Sequence, residues 1–303
     1  MPGIAVRLCE NLRTIVYAPF YFALSGAHLV DQGLAVTLVT SAHPSRTVET
    51  LLEGIAGIAW GGPMRVLVDH DSNPASPLVC FAQVVARDPF LLIGRTPNPR
   101  FRLADLRDLR VAVASEVPTP WMTFQDDLSR AGLDPAALLR TPDRPMADNV
   151  ADFLRGDVDV IQVFEPWADR LTQSGESHVW HRFSTRGDIG YSTFYTTRSF
   201  IGGNRDVCRR LVVGMARAQQ AFHAAAPSEI AASIAGFFPD LEHDAVARIV
   251  AGYRDAGLWA RTPHLPLAAV LRLKAALVSG GLIHRDIDYA QIVDASLSSI
   301  GPA

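Results

Sequence analysis

Lysine is almost absent: Lys274 is the only one among 28 basic residues, so nearly all positive charge is guanidinium. Guanidinium forks suit bidentate bonding to carboxylate, sulfonate or phosphate, although a compositional bias produces the same count. Cysteine is scarce too. Cys9, Cys80 and Cys208 are an odd set without C-x-x-C spacing, which speaks against a disulfide framework and a zinc site. Charge of neither sign is in excess, the 31 acidic residues leaving a formal −3. Nothing in that balance draws the chain to nucleic acid or an anionic membrane. No apolar run reaches the roughly eighteen residues of a membrane span. Gly-x-Gly-x-x-Gly, a phosphate-binding lysine loop and Gly-x-Ser-x-Gly are also missing, which argues against dinucleotide, nucleotide-triphosphate and serine-hydrolase chemistry. Met1-Pro2-Gly3-Ile4 enters a strand-like run with no basic segment, apolar core or cleavage site before it. As written, the sequence is expected in the cytoplasm, or in the periplasm if an export signal was removed.

What is present is ample apolar material: 49% of 303 residues are hydrophobic, enough for two packed cores. Two stretches, Thr47 to Pro63 and Asn149 to Pro166, share one pattern of amphipathic helix, glycine stop, short apolar strand and turn. That pattern is the αβ half of a parallel-sheet unit, with its functional loop just after the strand. Two such units predict two α/β lobes, with strand-end loops lining a crevice between them that takes a small molecule.

Strands are expected at Ile4–Leu8, Ala35–Val39, Pro77–Val85, Phe90–Ile93, Arg110–Ala114, Val158–Val163 and Ser192–Thr197. From Asn204, which reads as a helix start, only helical spacing appears, in segments of which the last is expected over Tyr289–Leu297. Lobe one is expected over residues 1–88 plus 195–303, and lobe two over 89–194.

Several pieces, in order, resemble one known family. They are Ala18–Ala23 with Gly26 and Gln32–Leu34; Leu52–Gly54 through Gly61–Pro63; Leu103–Leu106 before Val111–Val113; Gly156–Asp159 through Phe164–Trp167; and Tyr253–Trp259 with Tyr289–Asp294. The chain resembles the type II periplasmic-binding-protein fold, in the branch of ABC-importer substrate-binding proteins for nitrate, taurine, aliphatic sulfonates and thiamine pyrimidine precursors. The resemblance implies an α/β fold of two lobes, each a mixed sheet flanked by helices, with the ligand cleft between them. It implies a monomer that captures a small organic anion, a sulfonate or carboxylate, by hinge closure. The partner would be an ABC permease, with no cofactor, no metal, no nucleic acid and no membrane insertion. An enzyme on the same scaffold (a desulfinase, a decarboxylase or a thiamine-pyrimidine-type synthase) is the alternative. The first loop, from Glu10 up to Tyr17, which stands near the family's usual histidine, lacks the aromatic, proline and histidine frequent there, which disfavours a thiamine precursor. No cysteine cluster lies around Ser192–Thr197. Cys9 falls a few residues before the desulfinase nucleophile position and reads as a small core residue.

The expected ligand-binding residues follow from loop position. Arg13 and Thr14 lie after strand one, where Arg13 is suited to clamp an anion. Ser41 and His43 sit at a strand-to-helix junction that can cradle an anion. Gly61, Gly62 and Met64 permit close backbone approach. In lobe two, Ser115 and Thr119 precede a helix, Glu165 and Trp167 end a strand, and Arg186 sits in a polar loop. Trp121 stacks on a ligand or fills the core. Asp69-His70-Asp71 reads as a solvated loop rather than a metal triad, and His178 with His181 as a possible helix face lacking a third ligand.

Overall fold

The computed structural model describes residues 3–300, and among them nine strands form two sheets. In chain order the strands are β1 (Ile4–Glu10), β2 (Leu34–Thr40), β3 (Ile58–Gly61), β4 (Leu78–Val85), β5 (Leu91–Gly94), β6 (Val111–Ala112), β7 (Val160–Val163), β8 (His178–Arg182) and β9 (Ser192–Thr197). The first sheet runs β2-β1-β3-β9-β4, with β2, β1 and β3 parallel and β9 antiparallel to both neighbours. The second runs β6-β7-β5-β8; β6 and β7 are parallel, and β5 is antiparallel to β7 and β8. Because β6, β7 and β8 therefore point the same way, their carboxyl ends share one edge of their sheet. The carboxyl ends of β1, β2 and β3 do the same in theirs.

The chain divides into two compact units. One holds the residues up to Arg87, Gly187–Lys274 and those from Ile283; the other holds Asp88–Arg186 and Ala275–Leu282. The first unit centres on its sheet. Strand β4, an unbroken apolar run save for Gln83, is buried at every position, as expected of a strand covered on both faces. Trp60 of β3 stacks on Phe20 at 4.4 Å, and Phe20 meets Phe194 of β9 edge-on at 4.9 Å. The helix Arg198–Ala224 lies so close to the segment before β2 that a Cβ on Gly214 would stand 2.8 Å from the carbonyl oxygen of His28. Only glycine permits that approach. The helix has non-helical dihedrals at Asn204. Asn204, expected to start a helix, instead marks a kink inside one that Thr197 caps by accepting from the amide of Phe200 at 3.1 Å.

The helix expected over Tyr289–Leu297 is split into Tyr289–Ile292 and Ala295–Ser298. Val293 between them bridges to Cys80, and Asp294 donates its amide to the Cys80 carbonyl at 2.9 Å, so pairing with β4 overrides the helical pattern. In the second unit the helices Thr119–Arg130 and Met146–Arg155 cover the sheet, the latter ending at Gly156 in the left-handed region (φ +92°). Phe124 packs on Phe183 at 5.0 Å and Phe90 on Phe164 at 5.1 Å.

Two sequence expectations are corrected. His178 and His181 lie on strand β8 and not on a helix, so they share no helix face. Asp69, His70 and Asp71 belong to the helix Met64–Ser72 rather than to a solvated loop. His70 falls on its apolar stripe, is buried, and its Nε2 lies 2.9 Å from the carbonyl oxygen of Leu78.

Candidate functional site at the carboxyl edge of the first sheet

Seven of the sequence-predicted residues leave the carboxyl ends of three adjacent parallel strands: Arg13 and Thr14 after β1, Ser41 and His43 after β2, and Gly61, Gly62 and Met64 at the end of β3. Most of their polar atoms are engaged in building the loops. Thr14 caps the short helix Ile15–Tyr17, and Ser41 Oγ donates to the His43 carbonyl at 2.7 Å. The exposed His43 caps Pro44–Arg46, its Nδ1 accepting from the Ser45 amide at 3.3 Å. Met64 is buried and opens the helix Met64–Ser72.

Arg13 is engaged too. The last residue of β1, Glu10, is fully buried, and its carboxylate gathers four hydrogen bonds. Arg13 donates to Oε1 from Nε at 3.1 Å and from Nη2 at 2.5 Å; Thr40 Oγ donates to the same oxygen at 2.6 Å; Tyr21 donates to Oε2 at 2.7 Å. A buried carboxylate needs such company, because its desolvation is otherwise prohibitive. Burial, then the charge of Glu10, pushes the Tyr21 hydroxyl far up, so it remains a donor.

Sequence reasoning missed two residues beside the glycines. Arg65, one position into the helix after β3, is only 9% exposed, and its Nε donates to the Pro44 carbonyl at 3.0 Å. Among the described residues no carboxylate lies within ion-pair distance of it. Asp69, four residues on, would be the expected partner, but accepts from Ser76 Oγ at 2.5 Å. Asn11, also buried, donates from Nδ2 to the Tyr17 hydroxyl at 3.2 Å, while its Oδ1 has no partner. The amide can be turned over without changing its shape, so in either orientation one of its ends is available.

The glycines bring the backbone close to these groups. A Cβ on Gly61 would stand 3.3 Å from Asn11 Nδ2 and 3.5 Å from Arg65 Nη1; one on Gly62 would stand 3.7 Å from Arg65 Nη1. A side chain at Gly61 would press on Asn11 and Arg65, and one at Gly62 on Arg65 and on the Tyr191 carbonyl oxygen, 3.4 Å from its Cβ.

Cys9 does not take part. It is fully buried one residue before Glu10, its Sγ 3.6 Å from the Glu10 carbonyl, and burial raises its thiol pKa. A protonated core thiol is a packing residue, not a nucleophile.

The other five expected residues follow the aligned ends of β6, β7 and β8 in the second unit. Ser115 Oγ donates to the Arg144 carbonyl at 3.0 Å, and the buried Thr119 opens its helix. Trp121, half-buried, meets Phe124 edge-on at 5.8 Å and carries the Arg140 guanidinium 4.6 Å over its ring. Glu165 accepts from the Asp169 amide at 2.7 Å, and burial pushes its carboxyl up to about 7. Trp167 lies under Arg170 at 5.5 Å. The nearly buried Arg186 is ion-paired with both Asp88 and Asp127, and Thr123 Oγ donates to Asp88 at 3.2 Å. Among the described residues no group of three or more His, Cys, Asp or Glu is placed to hold a metal ion, and no helix is long and apolar enough to cross a membrane.

Known structures resemble this one over nearly its whole length. The periplasmic aliphatic sulphonate binding protein SsuA from Escherichia coli superimposes with a TM-score of 0.77 at 17% identity, covering 98% of this chain and 99% of that one. The desulfurization enzyme DSZB superimposes with a TM-score of 0.67 at 14% identity, covering 97% of each chain. In sequence, a candidate binding protein of Bacillus subtilis, YtlA, is 23% identical over 295 residues, which span 97% of this chain and 88% of that protein. The fold is that of the periplasmic binding proteins, with two mixed sheets flanked by helices. The profile of the NMT1-like family matches residues 31–236, more than half of the sequence, and the chain belongs to that family.

Proposed function

We propose that this protein is the solute-binding component of an ABC-type importer, working in the periplasm as a monomer, and that it captures a small organic anion of sulfonate or carboxylate type by hinge closure. The observation that carries this reading is the strand-end corner at Gly61 and Gly62, where the Arg65 guanidinium lies beside the glycines without a carboxylate partner among the described residues and the buried Asn11 leaves its Oδ1 without a hydrogen bond. Buried polar atoms left without partners cost stability, and a scaffold retains them where a ligand supplies the missing bonds. The names of the relatives agree: SsuA binds aliphatic sulphonates and YtlA is described as a candidate binding protein. Cys9 supports the same choice over a desulfinase, since its thiol is buried and held protonated.

The test is a thermal-shift screen of the full chain against sulfonates, carboxylates, neutral and cationic solutes, with recovery of each bound solute by mass spectrometry. A binding protein shows saturable stabilisation, about 2.7 kcal/mol at a hundredfold excess over Kd, and returns the solute unaltered. Small-angle scattering should show the protein becoming more compact on binding. Chemical conversion of the solute would contradict the reading.

A further inference from the structure

We propose that Arg65, and not Arg13, holds the anionic head of the solute, and that the site takes a head carrying a single negative charge. This inference rests on the solute-binding reading above and specifies its chemistry.

The two arginines at the strand ends differ in their surroundings. Arg13, with 44% of its side chain exposed, is bound through two nitrogens to a carboxylate that is itself fully buried. The pair is neutral as a unit, and drawing Arg13 onto a ligand would strip Glu10 of its counter-charge. Arg65 is the reverse case: nine-tenths buried, anchored by Nε to the Pro44 carbonyl, and without a carboxylate in range among the described residues. A guanidinium without a counter-charge keeps its charge-assisted donors for an arriving anion.

The geometry gives the anion a place. Nε is occupied, which leaves the terminal Nη edge, a two-pronged donor matched to a head with at least two oxygens. Nη1 lies beside Gly61 and Gly62, and the Asn11 amide lies beside Gly61. The buried Asn11 thus supplies a second polar side chain, independent of the arginine, with an unpartnered atom.

Charge counting then sets the class. Glu10 and Arg13 cancel, so Arg65 alone leaves the corner with one positive charge. A sulfonate or carboxylate neutralises it. A dianion such as sulfate or hydrogen phosphate would bring a second negative charge that Arg13, already paired with Glu10, is not free to meet.

The test titrates the full-length protein at pH 8 and constant ionic strength with benzoate, benzenesulfonate, nitrate, sulfate and hydrogen phosphate, using wild type, Arg65→Gln, Arg65→Lys and Arg13→Gln. At least one of the three monoanions should bind saturably, the better of benzoate and benzenesulfonate deciding between planar and tetrahedral heads, while neither dianion competes with it. Arg65→Gln should weaken that binding roughly thirtyfold or more, Arg65→Lys should recover part of it, and Arg13→Gln, which leaves the Glu10 charge uncancelled, should weaken it less than Arg65→Gln does. Without ligand, Arg65→Gln should melt no lower than wild type, which separates loss of a ligand contact from loss of the fold. Unaltered affinity in Arg65→Gln, tighter binding of the dianions, or capture of only neutral or cationic solutes would overturn the inference while leaving a binding protein with another anchor. Failure of the wild type to bind any solute would end both.

Discussion

Arg13 closes on the buried carboxylate of Glu10, donating from Nε at 3.1 Å and from Nη2 at 2.5 Å. The contact turns the most conspicuous cation of the first loop into half of a neutral pair. It leaves the charge of the strand-end corner to Arg65, which has no such partner among the described residues.

Glu10→Gln tests that division of labour. Removing the carboxylate leaves Arg13 without a counter-charge and weakens the acceptor shared by Tyr21 and Thr40. A loss of about 1–3 kcal/mol is expected, below the usual cost of breaking a buried pair because Arg13 is half-exposed and can hydrate. The corner would then carry two positive charges. Sulfate, excluded from wild type, should bind Glu10→Gln measurably in the same titration.

Arg186 is expected to matter for stability. It is buried between Asp88 and Asp127, and truncation strands two carboxylates. Arg186→Ala should cost about 3–5 kcal/mol in urea unfolding, whereas Arg186→Lys should recover part of the loss and bind solute with wild-type affinity.

Much of the fold was legible from the chain because its signals are local. The apolar run of β4, the alternation of β9 and the Gly156 stop each report a neighbourhood of a few residues. What escaped depends on partners distant in sequence. His178–Arg182 alternates polar and apolar residues too weakly to announce β8, whose place is set by pairing with β5. Asp69-His70-Asp71 looks solvated, yet His70 finds the Leu78 carbonyl inside the unit. For the strand-end loops, position was readable and hydrogen-bond partners were not. Glu10 three residues before Arg13 was the available sign of an ion pair. Asp69 four residues after Arg65 gave the same sign and misleads, because Ser76 engages that carboxylate.

Glu165 gives the second unit a pH dependence. Burial raises its pKa from 4.5 to about 7 in the folded protein. Between those values the folded chain holds a proton that the unfolded chain releases, so stability is full below about pH 4.5 and declines as pH rises through 7. The most this can amount to is about 3 kcal/mol. Glu165→Gln should flatten the decline, so its advantage over wild type in urea unfolding should grow from pH 5 to pH 8. A constant difference across that range would show that Glu165 does not titrate there.

The thiols should be silent. Cys9, Cys80 and Cys208 are all fully buried, and burial raises each pKa. In native protein, a thiol reagent such as Ellman's should label none of them on a timescale shorter than unfolding, and all three in denaturant. Cys9→Ser should bind solute as wild type does. Rapid labelling of Cys9 would revive nucleophilic chemistry at this end of β1.

The central claim, a single-charge anion site at the carboxyl edge of the first sheet, is tested most directly by anomalous diffraction from crystals grown in bromide, a monoanion that reports its own position. The account predicts a bromide peak within about 3.5 Å of the Arg65 Nη edge, beside Asn11 and the Gly61–Gly62 backbone, that disappears in Arg65→Gln. A peak beside Arg13, with none at Arg65, would contradict it.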